Sequence, residues 1–412
     1  MPNIPFIVRG DGLRLYAEDG TEYLDAVAGT FNLPLGYNHP CVIKAVEQQL
    51  GLMSHISSDL ARPHAQRLVD RLLQLAPPGI DAGWIRDATG STAVECAIKI
   101  AQKATGKSDV ITLFHAHHGQ TTMAGSISGP AWRRRRFPAY GSPGVLRVPD
   151  PNCRNCFYKQ TYPSCGILCA HRIADIVQQA GRESTACLIV EPVLGNGGNI
   201  VPPEGYFQTL RKICDDLGIL LIADEVQTGV GRVGSFFASA RMGIEPDIIV
   251  LGKGLGGVGL PIGAVLMRQE LDVLEPADHS FTGGGNLLAL AAAHATLDVV
   301  GDEGFLAGVR RRGGYLGELL GTHLQSHPVV GDVRGVGMMW GVEIVGHDGR
   351  PDAGAAAAVV SCARERYRLI TRSSEYGRGN VVKVRPALTA TEEDLDEVVD
   401  RLRMSVHDVA GV

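Results

Sequence analysis

Two apolar runs of strand length, each followed by a polar residue, decide the fold of this chain: LLIADEVQTG at residues 220–229 and IIVLGKG at residues 248–254. The other runs of this kind are VITLF at 110–114 and CLIV at 187–190. Helical patterns precede or separate these runs, as at residues 93–105 and 206–217. Continuous Val, Ile and Leu strands separated by helices are typical of a mainly parallel sheet covered on both faces. The sequence therefore predicts an α/β fold with a large buried sheet.

Asp224 and Lys253 are the polar residues that end or follow the first two runs. Because ligands of open α/β sheets bind at the carboxyl ends of the strands, both side chains are expected in one crevice. An ordinary buried Asp–Lys pair would give the same pattern. The lysine, however, lies in a run of glycines, which lets a group other than a protein side chain approach it closely. These glycines are Gly252, Gly254, Gly256, Gly257 and Gly259.

Composition limits the classes to which the chain can belong. Of its 412 residues, 45% are hydrophobic and 20% are charged, which is close to the globular average and excludes disordered and fibrous classes. The formal net charge of −5 gives no general attraction to nucleic acid or to anionic membranes. The N-terminal sequence lacks the pattern of a signal or transit peptide, and no window approaches the ~18 apolar residues of a membrane span. We therefore expect a cytoplasmic protein whose partners are small molecules or a second copy of the chain.

The order of the patterns along the chain predicts two lobes. Residues 1–45 consist of short strands and turns and are assigned to the smaller lobe. Residues 46–300 form the large domain, with a cysteine-rich excursion at residues 150–170. Residues 301–412 form the remainder of the small α+β domain, which contains a glycine-punctuated strand region at 333–344 and closes with a helix.

Ordered motifs along nearly the whole chain resemble those of the class III (omega-type) aminotransferases, which are pyridoxal-phosphate enzymes of fold type I. The motifs are Leu35-Gly36, His39-Pro40, Glu191-Pro192-Val193, Gly197-Gly198, Pro203-Glu204-Gly205-Tyr206, residues 223–229, Gly231-Arg232, Gly252-Lys253-Gly254, Thr282, Gly285-Asn286 and residues 333–337. So many matches in order are poorly explained by chance. The resemblance implies a large domain with a seven-stranded, mainly parallel sheet and a smaller α+β domain. It also implies pyridoxal 5′-phosphate as the cofactor.

The resemblance further implies a role for the residues at the crevice. Lys253 would form the Schiff base with the cofactor aldehyde and would then carry the proton between the substrate carbon and the cofactor. Asp224 would pair with the pyridine nitrogen, which keeps the ring protonated and able to accept electrons. Gln227 would hydrogen-bond the phenolic oxygen of the cofactor.

The phosphate of the cofactor would be held by Gly90, Ser91 and Thr92, just before a helical pattern, where amides, hydroxyls and the helix dipole favour an anion. Serine and threonine at such a position are equally ordinary N-caps. By resemblance, Thr282 would reach the phosphate of the neighbouring subunit, so the active unit would be a homodimer. His117 takes a position where the family usually has an aromatic ring stacked on the cofactor. The remaining residues of the expected cofactor site are His118, Glu191 and Val226.

Three positions depart from members of the family that alternate between glutamate and an omega-amino substrate. Where those members carry arginine, glutamate and arginine, this chain has Gln120, Asn196 and Lys383. A lysine lacks the bidentate fork with which arginine clamps a carboxylate. Strand alternation would point Arg385 the same way as Lys383, so one or both could face the site. Thr30 completes the set of substrate candidates.

These departures suggest a substrate with little carboxylate character. Neutral groups at Gln120 and Asn196 suit a polyhydroxylated amine, and GSTAVE at residues 90–95 resembles the amino-sugar aminotransferases of aminoglycoside pathways. The hypothesis is amino transfer to or from an aminoglycoside or a related amino sugar. One alternative is an epimerase or racemase that uses the same cofactor site, and another is an omega-amino acid aminotransferase that uses glutamate and 2-oxoglutarate. A catalytically silent partner is a further alternative, against which the intact Lys253 argues.

Four of the nine cysteines lie within 17 residues, as Cys153, Cys156, Cys165 and Cys169. Two closely spaced pairs of thiols are good ligand spacing for zinc or an iron–sulfur centre. Some 4-aminobutyrate aminotransferases, in the family that the chain resembles, hold an intersubunit iron–sulfur cluster with a CxxC in this region. A structural disulfide and unligated thiols are the other interpretations of the same pattern.

A run of four arginines occupies residues 133–136, between Trp132 and Phe137. Such a run is usually a solvated loop, and that is the expectation here. The alternative is a site for an anionic substrate or a phosphate. Because the run would repel a cationic aminoglycoside, the amino-sugar hypothesis requires it to lie away from the pocket.

Overall fold

The computed structural model of the chain describes residues 4–57, 60, 62–141, 144–180, 183–374 and 376–411. Its strands are β1 (Ile7–Asp11), β2 (Arg14–Ala17), β3 (Glu22–Asp25), β4 (Ala82–Asp87), β5 (Asp109–Leu113), β6 (Val145–Val148), β7 (Thr185–Val190), β8 (Leu220–Asp224), β9 (Ile248–Leu251), β10 (Gly263–Met267), β11 (Val330–Val336), β12 (Met339–Ile344), β13 (Leu369–Ile370), β14 (Arg372–Ser373) and β15 (Val381–Val384). Its helices are α1 (Ala28–Phe31), α2 (Pro40–Leu52), α3 (Pro63–Leu75), α4 (Gly90–Thr105), α5 (Thr122–Ile127), α6 (Ala131–Arg136), α7 (Leu168–Ala180), α8 (Tyr206–Leu217), α9 (Ala238–Met242), α10 (Leu287–Val300), α11 (Glu303–Leu324), α12 (Ala353–Glu365) and α13 (Glu392–Ala410). Short 3-10 turns lie at Pro138–Tyr140, Lys253–Gly256 and Gln269–Leu271.

A seven-stranded sheet forms the centre of the fold, in the order β4-β10-β9-β8-β7-β5-β6. Strand β10 runs antiparallel to both of its neighbours, and the remaining pairs are parallel. Strands β5, β7 and β9 are buried along their whole length, as expected for a parallel sheet with two covered faces. The structure therefore confirms the α/β fold of type I with its mainly parallel seven-stranded sheet.

Alternate residues of the central strands face two different hydrophobic layers. In β5, Val110 packs in the layer that contains α4, whereas Ile111 packs in the layer that contains α8. In β7, Ile189 and Leu188 divide between the same two layers. This alternation explains why the strands are continuous apolar runs, since each residue meets a helix on one face or the other.

Two four-stranded sheets complete the fold, in the orders β1-β2-β3-β13 and β11-β12-β15-β14. The first joins the two ends of the chain, because β13 pairs in parallel with β3 and Leu369 lies opposite Leu24. The second contains β15, which places Lys383 opposite Gly341 of β12. None of the helices in the described part of the chain combines the length and the apolar character that crossing a membrane requires.

Helix caps and turns set some boundaries differently from the apolar patterns. Helix α4 begins at Gly90, three residues before the pattern at 93–105, because Thr89 caps it by accepting a hydrogen bond from the amide of Thr92 at 3.3 Å. The residues expected to bind phosphate are therefore the first turn of a helix. The glycine-punctuated strand region expected at 333–344 lies in a hairpin of β11 and β12.

Candidate active site

Lys253 begins the 3-10 turn that follows β9, at the carboxyl end of the central sheet. Its backbone has a φ of +39°, a conformation that costs a non-glycine residue about 1–3 kcal/mol and that clusters at functional sites. Burial of the amino group lowers the pKa of Lys253 below its ordinary value, and the carboxyl groups of Asp224 and Glu191 partly offset this effect. The amino group thus lies near two buried acids, and it loses its proton more readily than that of a free lysine.

Asp224 ends β8, the strand next to β9, and is buried. Its Oδ2 lies 2.6 Å from Nδ1 of His118, and its Oδ1 accepts a hydrogen bond from the amide of Val226 at 3.1 Å. His118 is also buried, and its Nε2 has no hydrogen-bond partner within the described residues. These contacts orient the carboxylate without using all of its lone pairs. It can therefore still accept a hydrogen bond from a ring nitrogen.

The first turn of α4 offers donors for a phosphate. The amides of Gly90 and Ser91 have no hydrogen-bond acceptor in the described part of the chain, as is usual at a helix N-terminus. Ser91 Oγ accepts a hydrogen bond from the amide of Gln120 at 3.2 Å and keeps its own proton to donate. Thr92 differs from the expectation, because its hydroxyl donates to the carbonyl of Thr89 at 2.9 Å and its amide is bound to the Thr89 hydroxyl. Ser91 and the two amides, rather than the Thr92 hydroxyl, are available to an anion.

Glu191 follows β7 and is buried. Its two carboxyl oxygens accept hydrogen bonds from the amides of His117, at 2.8 Å, and Gly195, at 3.0 Å. Burial raises the pKa of Glu191 above its ordinary value, and the nearby charge of Asp224 adds to this shift. Glu191 therefore ties together the two loops that follow β5 and β7 at the carboxyl edge of the sheet.

His117 is the residue whose ring is expected to stack on the cofactor, and a hydrogen bond at one ring nitrogen orients it. Its Nδ1 lies 2.7 Å from the hydroxyl of Tyr376. Burial holds the pKa of His117 well below its ordinary value, and the positive charges of Lys253, Arg133 and Lys383 lower it further. The ring is consequently neutral at physiological pH.

Gln227 is fixed by Arg385. The guanidinium of Arg385 donates to Gln227 Oε1, to the carbonyl of Gly195 at 2.9 Å and to Asn199 Oδ1 at 2.8 Å, and it lies 4.6 Å from the centre of the Phe31 ring. Because Gln227 Oε1 accepts from the arginine, its amide nitrogen is the group left to donate toward a phenolic oxygen. Burial lowers the pKa of Arg385 to about 9. Arg385, a substrate candidate from the sequence, therefore has its fork occupied by acceptors of the protein.

The remaining substrate candidates divide into two groups. Lys383 Nζ donates to Asn196 Oδ1 at 2.8 Å and lies 5.3 Å from the centre of the Phe31 ring, on the same side of the chain as Arg385. Thr30 and the side chain of Gln120 are exposed. The amide of Thr30 donates to Asn32 Oδ1 rather than toward the site. The structure thus joins Asn196 and Lys383 and leaves the other two at the surface.

The arginine run is a helix, α6, and not the solvated loop that the sequence suggests. Arg135 and Arg136 are exposed as expected, but Arg133 is only 5% exposed. The guanidinium of Arg133 lies 5.3 Å from the centre of the Tyr376 ring and 5.4 Å from that of Trp132. Its Nε has no hydrogen-bond partner, and the side chain forms no ion pair, in the part of the chain that the structure describes. The sequence offered the run as an alternative anion site, but nothing in four consecutive arginines shows which one turns inward, and Tyr376 was not singled out.

Thr282 lies in an exposed segment before α10 and makes no hydrogen bond within the described residues. The segment is anchored to the rest of the chain just ahead of this residue. His279 Nε2 lies 2.8 Å from Asp87 Oδ1, at the end of β4, and Lys99 of α4 donates to the carbonyl of Asp278 at 2.9 Å. Thr282 is therefore exposed just after a stretch, at Asp278 and His279, that is hydrogen-bonded to the rest of the chain.

The four clustered cysteines line a small pocket that shares no lining residue with the cofactor site described above. They extend from the turn after β6 to the first turn of α7. All four are free thiols in this structure. The cluster is therefore a feature separate from the group around Lys253.

Residues 2–406 match the family model described as Aminotransferase class-III. The acetylornithine aminotransferase of Methanopyrus kandleri is 36% identical over 404 residues, which covers 97% of this chain and 94% of that protein. The alanine/serine racemase of Pyrococcus horikoshii is 32% identical over 411 residues, which covers 97% of this chain and 85% of that protein. The crystal structure of the omega transaminase from Pseudomonas jessenii in complex with PMP is similar with a TM-score of 0.92 at 29% identity, over 99% of this chain and 93% of that one.

The chain belongs to the class III aminotransferases. It is an enzyme of the pyridoxal-phosphate-dependent type, as the motifs predict. The residues present fit this cofactor, because the site combines a lysine of lowered pKa, a buried carboxylate with free lone pairs and a helix N-terminus with unused amides. These groups match the aldehyde, the ring nitrogen and the phosphate of the cofactor in chemical character.

Proposed function

We propose that this aminotransferase acts on amino acids and that Arg133 binds the carboxylate of the substrate. One observation carries the proposal: the Arg133 side chain is buried next to Tyr376, its Nε has no hydrogen-bond partner within the described residues, and its charge acts on His117. A substrate carboxylate would supply the missing partner. The assignment departs from the notion of a carboxylate-poor substrate, which rested on residues 120 and 196.

The unpaired Nε of the buried Arg133 side chain favours such a partner. A buried donor without an acceptor costs about 1–3 kcal/mol, and more when it is charged. The faces of Trp132 and Tyr376 offset about 0.5–2 kcal/mol of this by cation–π attraction. A carboxylate would accept two parallel hydrogen bonds from the planar fork of Arg133, a geometry that a lysine cannot provide.

The position of Arg133 agrees with this role. Its guanidinium packs on the Tyr376 ring, and the Tyr376 hydroxyl lies 2.7 Å from Nδ1 of His117. One aromatic side chain therefore separates the arginine from the ring that is expected to stack on the cofactor. Burial lowers the pKa of His117, and the charges of Lys253 and Arg133 lower it further.

The chain's own residues then divide the work of transamination. Pyridoxal phosphate, when bound, supplies the aldehyde and an electron sink for the substrate carbon. Lys253 moves the proton at the substrate carbon, and its lowered pKa favours the neutral amine that does so. Asp224, oriented by His118, would hold the ring nitrogen of the cofactor in its protonated form. Gln227, oriented by Arg385, would donate to the phenolic oxygen.

Amino transfer on an amino sugar is the second candidate. The neutral side chains of Gln120 and Asn196 favour it, as does the hydrogen bond that joins Asn196 to Lys383. The charges of Arg133 and Lys383 oppose it, because a polycationic aminoglycoside would be repelled by both. A racemase at the same site is supported by the identity to the alanine/serine racemase of Pyrococcus horikoshii.

Matched substrates separate these functions. The holoenzyme is mixed with ornithine or with putrescine, the same molecule without its carboxylate, and with alanine or ethylamine, while the absorption bands of the aldehyde and amine forms of the cofactor are followed. The proposal predicts conversion by an amino acid and little by its decarboxylated partner. Conversion by 2-deoxystreptamine but by no amino acid would favour the amino sugar instead. Deuterium uptake at the substrate carbon without any amine form would indicate a racemase.

A homodimer with a shared active site belongs to the same proposal. Several large apolar side chains are exposed, among them Phe6 at 78%, Leu52 at 82% and Leu60 at 60% exposure, and a second copy could cover them. Phe281, which is also exposed, precedes Thr282. A second copy that covers this apolar surface would bring the Thr282 segment toward the partner's phosphate site.

A further inference from the structure

The segment before α10 forms an exposed turn with Thr282 at its corner. The amide of Gly284 donates to the carbonyl of Phe281 at 2.9 Å, which closes a turn over residues 281–284. Thr282 and Gly283 are its two central residues, and both are exposed. A Cβ placed on Gly283 would meet no atom of the described residues within 4 Å. The corner of the turn is therefore open to a molecule outside this chain.

Both ends of the turn rest on the last two residues of β4. On one side, His279 Nε2 lies 2.8 Å from Asp87 Oδ1, and both of these residues are buried. On the other side, Gly284 packs so closely on Arg86 that a Cβ at this glycine would lie 1.9 Å from the arginine carbonyl oxygen. Arg62 also donates to the carbonyl of Gly284 at 2.8 Å. The exposed corner is thus held between two fixed points.

Lys99 of α4 determines which nitrogen of the His279 ring carries the proton. Its Nζ donates to the carbonyl of Asp278 at 2.9 Å and lies 3.4 Å from Nδ1 of His279. Because an ammonium group can only donate, Nδ1 is the acceptor of this contact, and Nε2 carries the proton that is donated to Asp87. The ring therefore lies between a cation at one nitrogen and a carboxylate at the other. These two contacts fix both its position and its orientation.

A metal ion is the other occupant that this group of side chains could suggest. One ligand atom each from Asp87, Cys96 and His279 lies within 4.8 Å of the other two. Ligation by Nε2 would require that nitrogen without its proton, whereas the contact with Lys99 assigns the proton to it. The ammonium group of Lys99 would also repel a cation bound beside the ring. The group is therefore a hydrogen-bonded anchor.

Helix α4 serves the phosphate site of its own chain as well as this anchor. Its first turn supplies the free amides and the hydroxyl of Ser91 that are available to a phosphate. Further along the same helix, Lys99 and Lys103 hold the segment that leads to Thr282, the latter through an ion pair of 2.7 Å with Asp278. One rigid helix thus connects the two regions.

We propose that Asp87 and His279 are positioning residues that act across the dimer. They hold Thr282 where its hydroxyl can donate to the cofactor phosphate bound in the partner subunit. This inference rests on the proposed homodimer with a shared active site. Without the bond between His279 and Asp87, the turn would be fixed at the Gly284 end alone. A shift of about 1 Å at its corner would take the hydroxyl beyond hydrogen-bond distance.

The affinity for the cofactor, with and without its phosphate, tests this role. Holoenzyme is dialysed to equilibrium against falling concentrations of pyridoxal phosphate, and the bound fraction is read from the absorption band of the cofactor attached to Lys253. Thr282→Ala should raise the Kd by about 10- to 150-fold, because a hydrogen bond to a charged group is lost. His279→Ala should raise it by about tenfold.

Three comparisons show whether the effect comes from the anchor. His279→Gln keeps a donor nitrogen within reach of Asp87 and should restore most of the affinity. With pyridoxal, which has no phosphate, neither Thr282→Ala nor His279→Ala should change the Kd by more than about twofold. The control His323→Ala, at an exposed histidine of α11, should match the wild type.

Hybrid dimers decide on which active site the anchor acts. In the first hybrid, one subunit carries both Lys253→Ala and His279→Ala and the other is wild type, so the remaining lysine site faces the altered turn. In the second, one subunit carries Lys253→Ala and the other carries His279→Ala, so the remaining lysine site faces a native turn. The proposal predicts a loss of affinity of about tenfold in the first hybrid only. A loss in the second hybrid alone would show that His279 acts within its own subunit and would overturn the proposal.

The Thr282→Ala result separates a failure of this inference from a failure of the homodimer. If Thr282→Ala leaves the affinity for pyridoxal phosphate unchanged, the shared site is wrong and the inference falls with it. If Thr282→Ala weakens binding and His279→Ala does not, the shared site stands and the anchor is wrong. If His279→Ala does not fold, Asp87→Asn replaces it in the same assays, with a loss of about three- to tenfold expected from the missing charge. An unchanged affinity in Asp87→Asn would then overturn the proposal.

Discussion

Arg133→Gln is the substitution that most sharply tests how this enzyme selects its substrate. The change removes the positive charge and the fork of a side chain that is 5% exposed, and it keeps most of the side chain's length. A hydrogen bond to a charged group contributes about 1.5–3 kcal/mol. Since each 1.36 kcal/mol is a factor of ten in rate, kcat/KM for an amino acid should fall by about 10- to 150-fold. For the matched amine without a carboxylate, kcat/KM should change by less than about threefold.

The fold should survive this change. Arg133 has no acceptor to leave unpaired within the described residues, so its removal relieves a desolvation cost of about 1–3 kcal/mol. It also loses cation–π contacts with Trp132 and Tyr376 that are worth about 0.5–2 kcal/mol. These terms nearly cancel, so the free energy of unfolding, measured in urea, should change by about 1 kcal/mol or less.

Steady-state assays with the paired substrates and two further variants complete the test. Arg133→Lys keeps the charge without the fork and should give an intermediate loss. Arg135→Gln, two residues away on the exposed face of α6, removes one arginine without touching Tyr376 and should match the wild type. An equal loss for amino acid and amine, or no loss for either, would refute the assignment of Arg133 to the carboxylate.

Three further predictions concern the cofactor site. In apoprotein, the rate at which pyridoxal phosphate attaches to Lys253 should rise with pH through a midpoint below 10.5. The reason is that only the neutral amine reacts and that burial lowers the pKa of this amine. A midpoint at or above 10.5 would contradict the burial of the amine. Arg385→Leu should lower the unfolding free energy by about 1–3 kcal/mol for each acceptor that it leaves unpaired, and it should shift the cofactor absorption band because the amide of Gln227 is no longer held. Arg385→Lys should recover part of both effects. An unchanged spectrum in Arg385→Leu would argue against a positioning role. Mixing inactive Lys253→Ala subunits with Thr282→Ala subunits should raise activity above that of either variant alone. In a dimer of one subunit of each kind, one of the two active sites has both native residues. No gain in activity after subunit exchange would speak against a shared site.

The sheet and its catalytic edge could be predicted because their signals are local. Each central strand is an apolar run, since both of its faces meet helices, and the residue that ends each run lies at the ligand-binding edge. Asp224 and Lys253 were identified this way, and the adjacency of β8 and β9 places them together. The cap at Thr89 was not read from the apolar pattern, so the start of α4 was set three residues too late.

The partners of these residues could not be predicted, because they come from distant parts of the chain. Arg385 reaches Gln227 across 158 positions, and Tyr376 reaches His117 across 259. The direction of Arg133 depends on how the short helix α6 packs, which a run of four arginines does not reveal. The amino-sugar hypothesis relied on the neutral residues at 120 and 196. It did not take into account Arg133, which the fold buries beside Tyr376.

A single-turnover experiment tests the central claim most directly. Holoenzyme is mixed with an excess of each amino acid in turn, without an acceptor, and both the cofactor spectrum and the oxo acid released are measured. The account predicts that at least one amino acid converts the cofactor to its amine form with one equivalent of oxo acid per active site, and that Lys253→Ala does neither. Release of the mirror-image amino acid with the cofactor still in its aldehyde form, or no reaction with any amino acid, would contradict it.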